Sequence, residues 1–199
     1  MLIEGTVIDG GQFGLLLKSS SQNGSCGEGC GTEHVTIRNS IIRNTRGGVN
    51  TNRSEGAGAV EMHDILFDNV LFEDIGPSSR GWRDGEGRMF QILGATSGLT
   101  IRNVTYDTDG HSYLFPVNAR QPKGRDFTYD NVVVNGTFRY RMLVQQPRAF
   151  QGHYETYEFG TAYGNCGNAP VPLTCFRSIP PEAGADMERI RAATAGVVP

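Results

Sequence analysis

The chain has 199 residues, enough for one sizeable hydrophobic core, and a formal net charge of −3 at pH 7. A weakly acidic chain lacks the basic surface of most nucleic-acid-binding proteins. It has no apolar run near the roughly 18 residues of a transmembrane helix. Its 27 glycines and few helical patterns before the tail indicate a turn-rich, all-β chain.

A ten-residue segment recurs five times along the chain. The copies are MLIEGTVIDG at 1–10, VTIRNSIIRN at 35–44, ILFDNVLFED at 65–74, LTIRNVTYDT at 99–108 and FTYDNVVVNG at 127–136. Aligned, they place one column at intervals of about thirty residues: Gly5, Asn39, Asn69, Asn103 and Asn131. Repeats of this length are typical of solenoids, in which each copy forms the same element of successive coils.

Apolar residues flank this column at positions two and four before it and three after it. The alternation predicts a strand, a one-residue corner and a second strand, with the apolar side chains facing inward. Asn and Gly accept the left-handed backbone that a sharp corner needs. We therefore expect the Asn side chains to stack and to hydrogen-bond to one another from coil to coil.

The residue before the corner alternates in charge from copy to copy. The column reads Glu4, Arg38, Asp68, Arg102 and Asp130. Strands stacked about 4.8 Å apart would bring each charge beside opposite ones, which sets the register although each exposed pair adds little stability.

A second segment recurs between the copies and predicts another strand for each coil. Its members are FGLLLK at 13–18, GGVNTN at 47–52, RMFQIL at 88–93, YLFPVN at 113–118 and YRMLVQ at 140–145. The uneven intervals are explained by long loops at 19–33, 53–63 and 76–87. We expect the coils to occupy residues 1–146.

Residues 147–199 break the repeat and are predicted to be an irregular segment that ends in a short helix packed on the solenoid. Asp186 is a suitable N-cap, and Met187, Ile190 and Ala193 recur at helical spacing. Because the ends of a solenoid need covering, we expect this helix to pack on the C-terminal part of the coils.

The strand order and the Asn column resemble the right-handed parallel β-helix of the pectate-lyase-like superfamily. GLLLKSSSQNG, VTIRNSIIRNTRGGVN, GRMFQIL and GADMERIRAATAGV resemble, more narrowly, bacterial and usually exported β-helix repeat proteins of undefined activity. The resemblance implies an all-β, right-handed parallel β-helix of about five coils with a short C-terminal helix, outside the cell or on its surface. Because such proteins normally have more coils and a signal peptide, we expect a C-terminal portion of a longer protein.

Enzymes that this chain resembles cleave acidic polysaccharides, either as lyases that use a basic residue and often Ca²⁺, or as hydrolases that use paired carboxylates. The resemblance implies a protein that binds or processes polysaccharide, with no nucleic-acid or membrane partner. A catalytically silent structural or adhesion module, or a fragment without independent activity, is the alternative. The oligomeric state is left open.

The stretch SSRGWRDGEGR holds the candidate active site. Arg83 is the candidate base, with Asp84 and Glu86 as catalytic carboxylates that would also suit Ca²⁺; no other metal or cofactor site is assigned. Trp82, the only Trp, would stack on a sugar ring, and Arg88 would bind a carboxylate. The alternative is a solvated loop held by its own ion pairs, with Trp82 covering the core.

The recurring second strand predicts a row of outward polar residues that would bind a glycan by hydrogen bonds. The row consists of Lys18, Asn50, Asn52, Gln91 and Asn118. The alternative is that these residues are polar only because an exposed face of a sheet meets water.

Two close pairs of cysteines, Cys26 with Cys30 and Cys166 with Cys175, favour two local disulfides and an oxidising compartment. A zinc site at Cys26, Cys30 and His34, or four free thiols, are the alternatives. His34 and His63 each precede a repeat copy, where a lone His is usually a surface or capping residue.

Overall fold

The structure, a computed structural model, describes thirteen segments of the chain: residues 1–19, 32–53, 62–75, 87–92, 96–107, 112–113, 124–125, 128–135, 138–144, 153–159, 162–167, 176–177 and 184–197. Within them the chain is mostly β, with one short helix near the C-terminus. The strands are β1 (Leu2–Glu4), β2 (Val7–Asp9), β3 (Phe13–Ser19), β4 (Glu33–Arg43), β5 (Gly47–Arg53), β6 (Met62–Glu73), β7 (Gly87–Ile92), β8 (Thr96–Asp107), β9 (Ser112–Tyr113), β10 (Gly124–Arg125), β11 (Thr128–Asn135), β12 (Phe138–Val144), β13 (His153–Phe159), β14 (Ala162–Gly167) and β15 (Phe176–Arg177), and the helix is α1 (Met187–Thr194).

The described strands form two sheets. The first has the order β1-β4-β6-β8-β11-β14-β15, with β2 also on β4 and β10 on β8; it is parallel as far as β11. The second has the order β3-β5-β7-β9-β12-β13 and is parallel as far as β12. Strands β13, β14 and β15 pair antiparallel with their neighbours. When β1 is taken together with β2 and β10 together with β11, the parallel strands therefore alternate between the two sheets along the chain.

The repeat copies are neighbours in the first sheet and pair in register. Ile37 lies opposite Phe67, and Phe67 lies opposite Ile101. The parallel, in-register pairing that the repeat predicted is therefore confirmed for β4, β6 and β8.

Every residue of the column that we call the corner row (Gly5, Asn39, Asn69, Asn103 and Asn131) has a left-handed backbone. Its φ values run from 51° at Asn39 to 60° at Gly5, which confirms the predicted corner. Two further left-handed rows, which the sequence did not reveal, lie five residues to either side: His34, Asp64 and Gly98 before it, and Gly10, Asn44 and Asp74 after it. The chain therefore turns at three left-handed positions in a repeat, where one was expected.

The main core joins the two sheets. Its largest fully buried side chains come from the first sheet and include Phe67, Phe72 and Tyr106, while Leu17 and Val49 enter it from the second. The rings of Phe72 and Tyr106 lie 4.9 Å apart. Burying such side chains stabilises a fold by roughly 1.5–3 kcal/mol each, so this core is the main force holding the repeats together.

A second, smaller core lies on the other face of the first sheet, under α1. Ile190 of the helix is fully buried against Ile41 and Leu71, with Val7 and Met187 packed beside them. Val7, Ile41 and Leu71 occupy the position two residues after the corner row. This apolar column had no role in the sequence-based prediction.

The helix begins after Asp186, whose carboxylate accepts a hydrogen bond from the backbone N–H of Arg189 at 3.0 Å, so the predicted N-cap is confirmed. It packs on β4 and β6. At its far end, a Cβ on Gly5 would lie only 2.7 Å from the carbonyl oxygen of Ala193. The expectation that the helix and the segment leading into it pack on the C-terminal part of the coils is therefore wrong for the helix, whose apolar face packs on the early strands. The segment leading into it does contact the later strands, through Asn131 and Thr105.

Residues 147–199, predicted to be irregular, contain β13, β14, β15 and α1. Among the described residues, no helix has the length and apolar character that crossing a bilayer requires.

Candidate functional site

Five of the predicted site residues lie outside the described residues: Trp82, Arg83, Asp84, Glu86 and Asn118. Arg88 is the second residue of β7 and pairs with Gly47 on one side and with Tyr113 on the other. The catalytic roles of Arg83, Asp84 and Glu86 stay predictions, as does the Ca²⁺ site.

The predicted polar row lies on strands that the structure places side by side. Asn50 of β5 pairs with Gln91 of β7, and Lys18 of β3 pairs with Asn52 of β5. Asn50 directly follows Val49 and Lys18 directly follows Leu17, and the side chains of Val49 and Leu17 are buried in the core. Register thus brings four of the five predicted residues to neighbouring positions, and their role in binding a glycan stays a prediction.

A group of titratable residues that the sequence analysis left apart meets at the start of β4 and β6. We call Glu33, His34, His63 and Asp64 the His–carboxylate cluster. Nδ1 of His63 lies 3.0 Å from Oδ2 of Asp64, and its Nε2 lies 3.0 Å from Oε2 of Glu33. Nδ1 of His34 approaches the same Asp64 oxygen at 3.3 Å. Each imidazole is therefore oriented by a carboxylate.

Backbone geometry explains why this cluster forms. His34 and Asp64 have φ values of 52° and 55°, and neighbouring strands β4 and β6 hold Glu33 opposite His63. The imidazole rings meet edge to face with centroids 5.6 Å apart. The side chains of Glu33, His34 and Asp64 are at least half exposed and that of His63 is 37% exposed, so solvent or a bound ligand can reach the cluster.

The zinc site that the sequence offered as an alternative to disulfides lies mostly outside the described residues. Cys26 and Cys30 lie outside the described residues, and His34 contacts Asp64. No group of three or more His, Cys, Asp or Glu side chains in the described part of the chain is arranged to hold a metal ion. Of the predicted disulfide partners, Cys175 also lies outside it, and Cys166 is a position in β14. The disulfides stay predictions.

The alternating charges form a contact that we call the carboxylate clamp. In it, an acidic side chain on one strand binds both the Arg and the Asn of a consecutive pair on the next strand. The three clamps are Glu4 with Arg38 and Asn39, Asp9 with Arg43 and Asn44, and Asp68 with Arg102 and Asn103. Two of them confirm two of the four ion pairs that the alternation predicted, Glu4 with Arg38 and Asp68 with Arg102. The clamp at Asp9 was not predicted.

The clamp at Asp68 changes the acidity of its carboxyl group. Burial by itself would raise the pKa of Asp68, but hydrogen bonds from Arg102 and Asn103 and the positive charge of Arg102 outweigh it, so the pKa lies below its ordinary value. The shortest of these contacts, from the Arg102 guanidinium, is 2.7 Å. The ionised carboxylate is thus favoured in the folded protein.

We expect Asp68→Asn to weaken the dependence of stability on pH in acid. A carboxyl group with a lowered folded-state pKa stabilises the fold above its unfolded pKa of about 3.9 and loses this effect as pH falls through the folded value. Urea unfolding from pH 2 to pH 7 measures the effect. Asp74→Asn is the control, since Asp74 makes no ion pair among the described residues. An unchanged acid slope in Asp68→Asn would contradict the role of the clamp.

The corner row also binds the segment that leads into α1, which the sequence did not reveal. Asn131 exchanges two hydrogen bonds with the backbone of Gly184, at 2.8 and 3.1 Å. Asn69 accepts one from the backbone N–H of Asp186 at 2.6 Å and donates one to its carbonyl oxygen at 3.4 Å. Each of these two side-chain amides accepts a hydrogen bond from a backbone N–H and donates one to a backbone carbonyl, as the backbone of a neighbouring strand would.

This arrangement divides the predicted stack of amides. Asn69 donates to Asn39 at 2.9 Å, and Asn131 donates to Asn103 at 2.8 Å. Between these pairs, Asn103 donates to Asp68 at 3.0 Å. The bonds of Asn69 to Asp186 and of Asn103 to Asp68 take the place of the expected bond between Asn69 and Asn103.

No family model, curated protein or solved structure matches the chain.

Proposed function

We propose that the chain is a right-handed parallel β-helix that binds polysaccharide along its second sheet. Support for the fold comes from parallel strands that alternate between two sheets in chain order, with the repeat copies in register. Right-handedness follows from the general rule for crossover connections between parallel strands.

The observation that carries the binding function is the register of the polar row. Asn50 pairs with Gln91 and Lys18 pairs with Asn52, so residues that carry amide and ammonium groups occupy paired positions on strands about 4.8 Å apart. A polysaccharide presents hydroxyl and carboxylate groups repeatedly along an extended chain. Amides both donate and accept hydrogen bonds, and Lys18 would attract an acidic sugar.

The candidate catalytic loop is tethered to the same sheet. Residues 82–86 directly precede Gly87, where β7 begins, and Gln91 lies on that strand. In this proposal Trp82 stacks on a sugar ring and Arg83 removes a proton, while Asp84 and Glu86 hold Ca²⁺ in a lyase or serve as acid and base in a hydrolase.

A catalytically silent structural or adhesion module is the second candidate. The carboxylate clamps favour this second candidate, because their charged side chains are occupied by contacts between strands. Such a module needs a stable, extended surface and no acid–base pair.

Titration calorimetry with acidic and neutral polysaccharides tests the proposal. We expect the double variant Asn50→Ala/Gln91→Ala and the single variant Trp82→Ala each to weaken binding about ten-fold, since a lost stacking contact or a pair of hydrogen bonds is worth roughly 1–1.5 kcal/mol. Glu188→Gln, at an exposed position of α1, is the control. A wild-type chain that binds no polysaccharide, or unchanged affinity in both variants, would overturn the binding function.

Catalysis has its own readout, the ultraviolet absorbance of unsaturated lyase products or the release of reducing ends by a hydrolase. Arg83→Ala should abolish lyase turnover while leaving affinity within about three-fold. Binding without turnover in the wild-type chain identifies the silent module.

A further inference from the structure

His63, in the His–carboxylate cluster, has a carboxylate at each of its two ring nitrogens. Oδ2 of Asp64 lies 3.0 Å from Nδ1, and Oε2 of Glu33 lies 3.0 Å from Nε2. An ionised carboxylate only accepts hydrogen bonds, and a neutral imidazole has an N–H on only one of its nitrogens. Neutral His63 therefore satisfies one of the two contacts, whereas the imidazolium ion donates to both carboxylates.

His34, the other histidine of the cluster, does not need a second proton. Its Nδ1 lies 3.3 Å from Oδ2 of Asp64, and an N–H on that nitrogen satisfies this contact in the neutral ring. The side chain of His63 is also less exposed than that of His34, at 37% against 70%, so water screens its ion pairs less. The geometry thus assigns the additional proton to His63.

The charges around His63 favour its imidazolium form. Among the described residues, the ionisable side chains in contact with its ring are Glu33, His34 and Asp64. On the other side His63 pairs with Ser97 of β8, where residues 96–101 include no ionisable side chain, and Arg125 of β10 lies opposite Ser97, one strand farther away. The Met1 ammonium group donates to the backbone oxygen of His34 at 2.7 Å. Two carboxylates in direct contact with the ring stabilise a positive charge on it.

We call Glu33, His63 and Asp64 the histidine clasp. Its contact between Glu33 and His63 joins the start of β4 to the start of β6, two interior strands of the first sheet. In the carboxylate clamps the cation is Arg, which stays charged at any pH at which proteins are folded, whereas His loses its charge near neutral pH. The clasp is therefore sensitive to pH in a range where the charge of the clamp arginines does not change.

We propose that the histidine clasp is a proton-dependent contact, which holds the starts of β4 and β6 together while His63 is an imidazolium ion and releases them when His63 loses a proton. Loss of the proton leaves one ring nitrogen with a lone pair that faces a carboxylate oxygen 3.0 Å away. Because Asp64 adjoins His63 in the chain, the contact that can separate is the one between strands, at Glu33. This proposal does not depend on polysaccharide binding.

The clasp stabilises the fold in mildly acidic solution. Its carboxylates raise the pH at which folded His63 gives up its second proton above the unperturbed histidine value of about 6.5. Such a group stabilises the folded protein fully below the unfolded value, and the effect is lost as pH rises through the folded value. The stabilisation by the clasp is therefore present near pH 5.5 and is lost by about pH 8.5.

The titration of His63 tests the proposal directly. NMR follows the imidazole Cε1–H resonance in the full chain from pH 5 to pH 9, with EDTA present so that no metal ion contributes and with His63→Gln to assign the resonance. We expect the midpoint to fall by about half a pH unit in Glu33→Gln and in Asp64→Asn, since each removes one exposed opposite charge. Both variants keep the shape of the side chain, and Asn accepts the left-handed backbone of position 64.

Stability gives a second readout, from urea unfolding of the wild-type chain and His63→Gln at pH 5.5 and pH 8.5. The ratio of their unfolding equilibrium constants isolates His63, because the other titrating groups are common to both chains. We expect the advantage of the wild-type chain to shrink about five-fold between the two pH values. Glu188→Gln, which removes a carboxylate at an exposed position of α1, is the control and should leave the His63 midpoint unchanged.

An unchanged His63 midpoint in both Glu33→Gln and Asp64→Asn would overturn the proposal, as would a wild-type advantage that is equal at the two pH values. A midpoint that falls as far in Glu188→Gln would show an effect of net charge and would also contradict the clasp. If His63→Gln does not fold, backbone-based assignment of the His63 resonance and the midpoints in the two carboxylate variants decide the matter.

Discussion

Asn69→Ala lowers the free energy of unfolding by about 3–5 kcal/mol, the largest effect that we expect from one polar side chain. Asn69 is 2% exposed and has a φ of 58°, which Ala adopts only with strain. Its amide binds Asn39 and both backbone groups of Asp186, so the variant leaves buried polar groups without partners. Urea unfolding followed by circular dichroism measures the loss.

Two matched variants separate the causes. Asn69→Gly keeps the left-handed backbone and loses the hydrogen bonds, so it should recover about 1 kcal/mol relative to Asn69→Ala. Asn44→Ala introduces the same strain at an exposed position, with a φ of 52°, and loses one hydrogen bond to Asp9. It should cost no more than about 2 kcal/mol. If Asn69→Ala destabilises the protein no more than Asn44→Ala, the Asn69 amide does not hold the segment at Asp186 in place.

Ile190→Ala is expected to cost about 2–4 kcal/mol, because it opens a cavity between α1 and the first sheet. Ile190 is fully buried against Ile41 and Leu71. The substitution removes both branches of the Ile190 side chain beyond Cβ, which would leave Ile41 and Leu71 poorly packed. Thermal and urea unfolding measure the change. Val197→Ala, at an exposed position after the helix, is the control and should lie within about 0.5 kcal/mol of the wild-type chain.

The effects of Asn69→Ala and Ile190→Ala on stability should be coupled. Asn69 holds Asp186 and Ile190 anchors the helix that Asp186 caps, so either change loosens the same segment. The double variant should therefore cost less than the sum of the single variants by about 1 kcal/mol. Release of α1 would also expose Val7, Ile41 and Leu71, which increased binding of a hydrophobic dye would report. Strict additivity would show that the two contacts act independently.

The repeating features of this fold could be read from the sequence because a repeat places equivalent residues in equivalent surroundings. The corner row needed a left-handed backbone in all five copies, and only Gly and Asn occupy it. The alternation of Glu4, Arg38 and Asp68 indicated register before any contact was known. Strand type, parallel pairing and register follow from such columns, since each copy supplies independent evidence for the same geometry.

Contacts that occur once needed the tertiary structure. The tail from Gly184 to Thr194 is not repeated, so no periodicity in the sequence indicates that Asn131 and Asn69 bind its backbone or that Ile41 and Leu71 receive its helix. The apolar column at Ile41 was visible, but a strand buried on both faces and a strand with a few exposed apolar residues look alike in sequence.

The His–carboxylate cluster is another contact that needed the tertiary structure. His34 and Asp64 adopt a left-handed backbone that neither residue type requires, and this unpredicted turn brings them to one surface. By itself, the sequence determined which segments repeat, that each bends at the corner row and which charges alternate. Only the tertiary structure decided which non-repeating side chains meet, because those contacts depend on the path of the chain between and after the repeats.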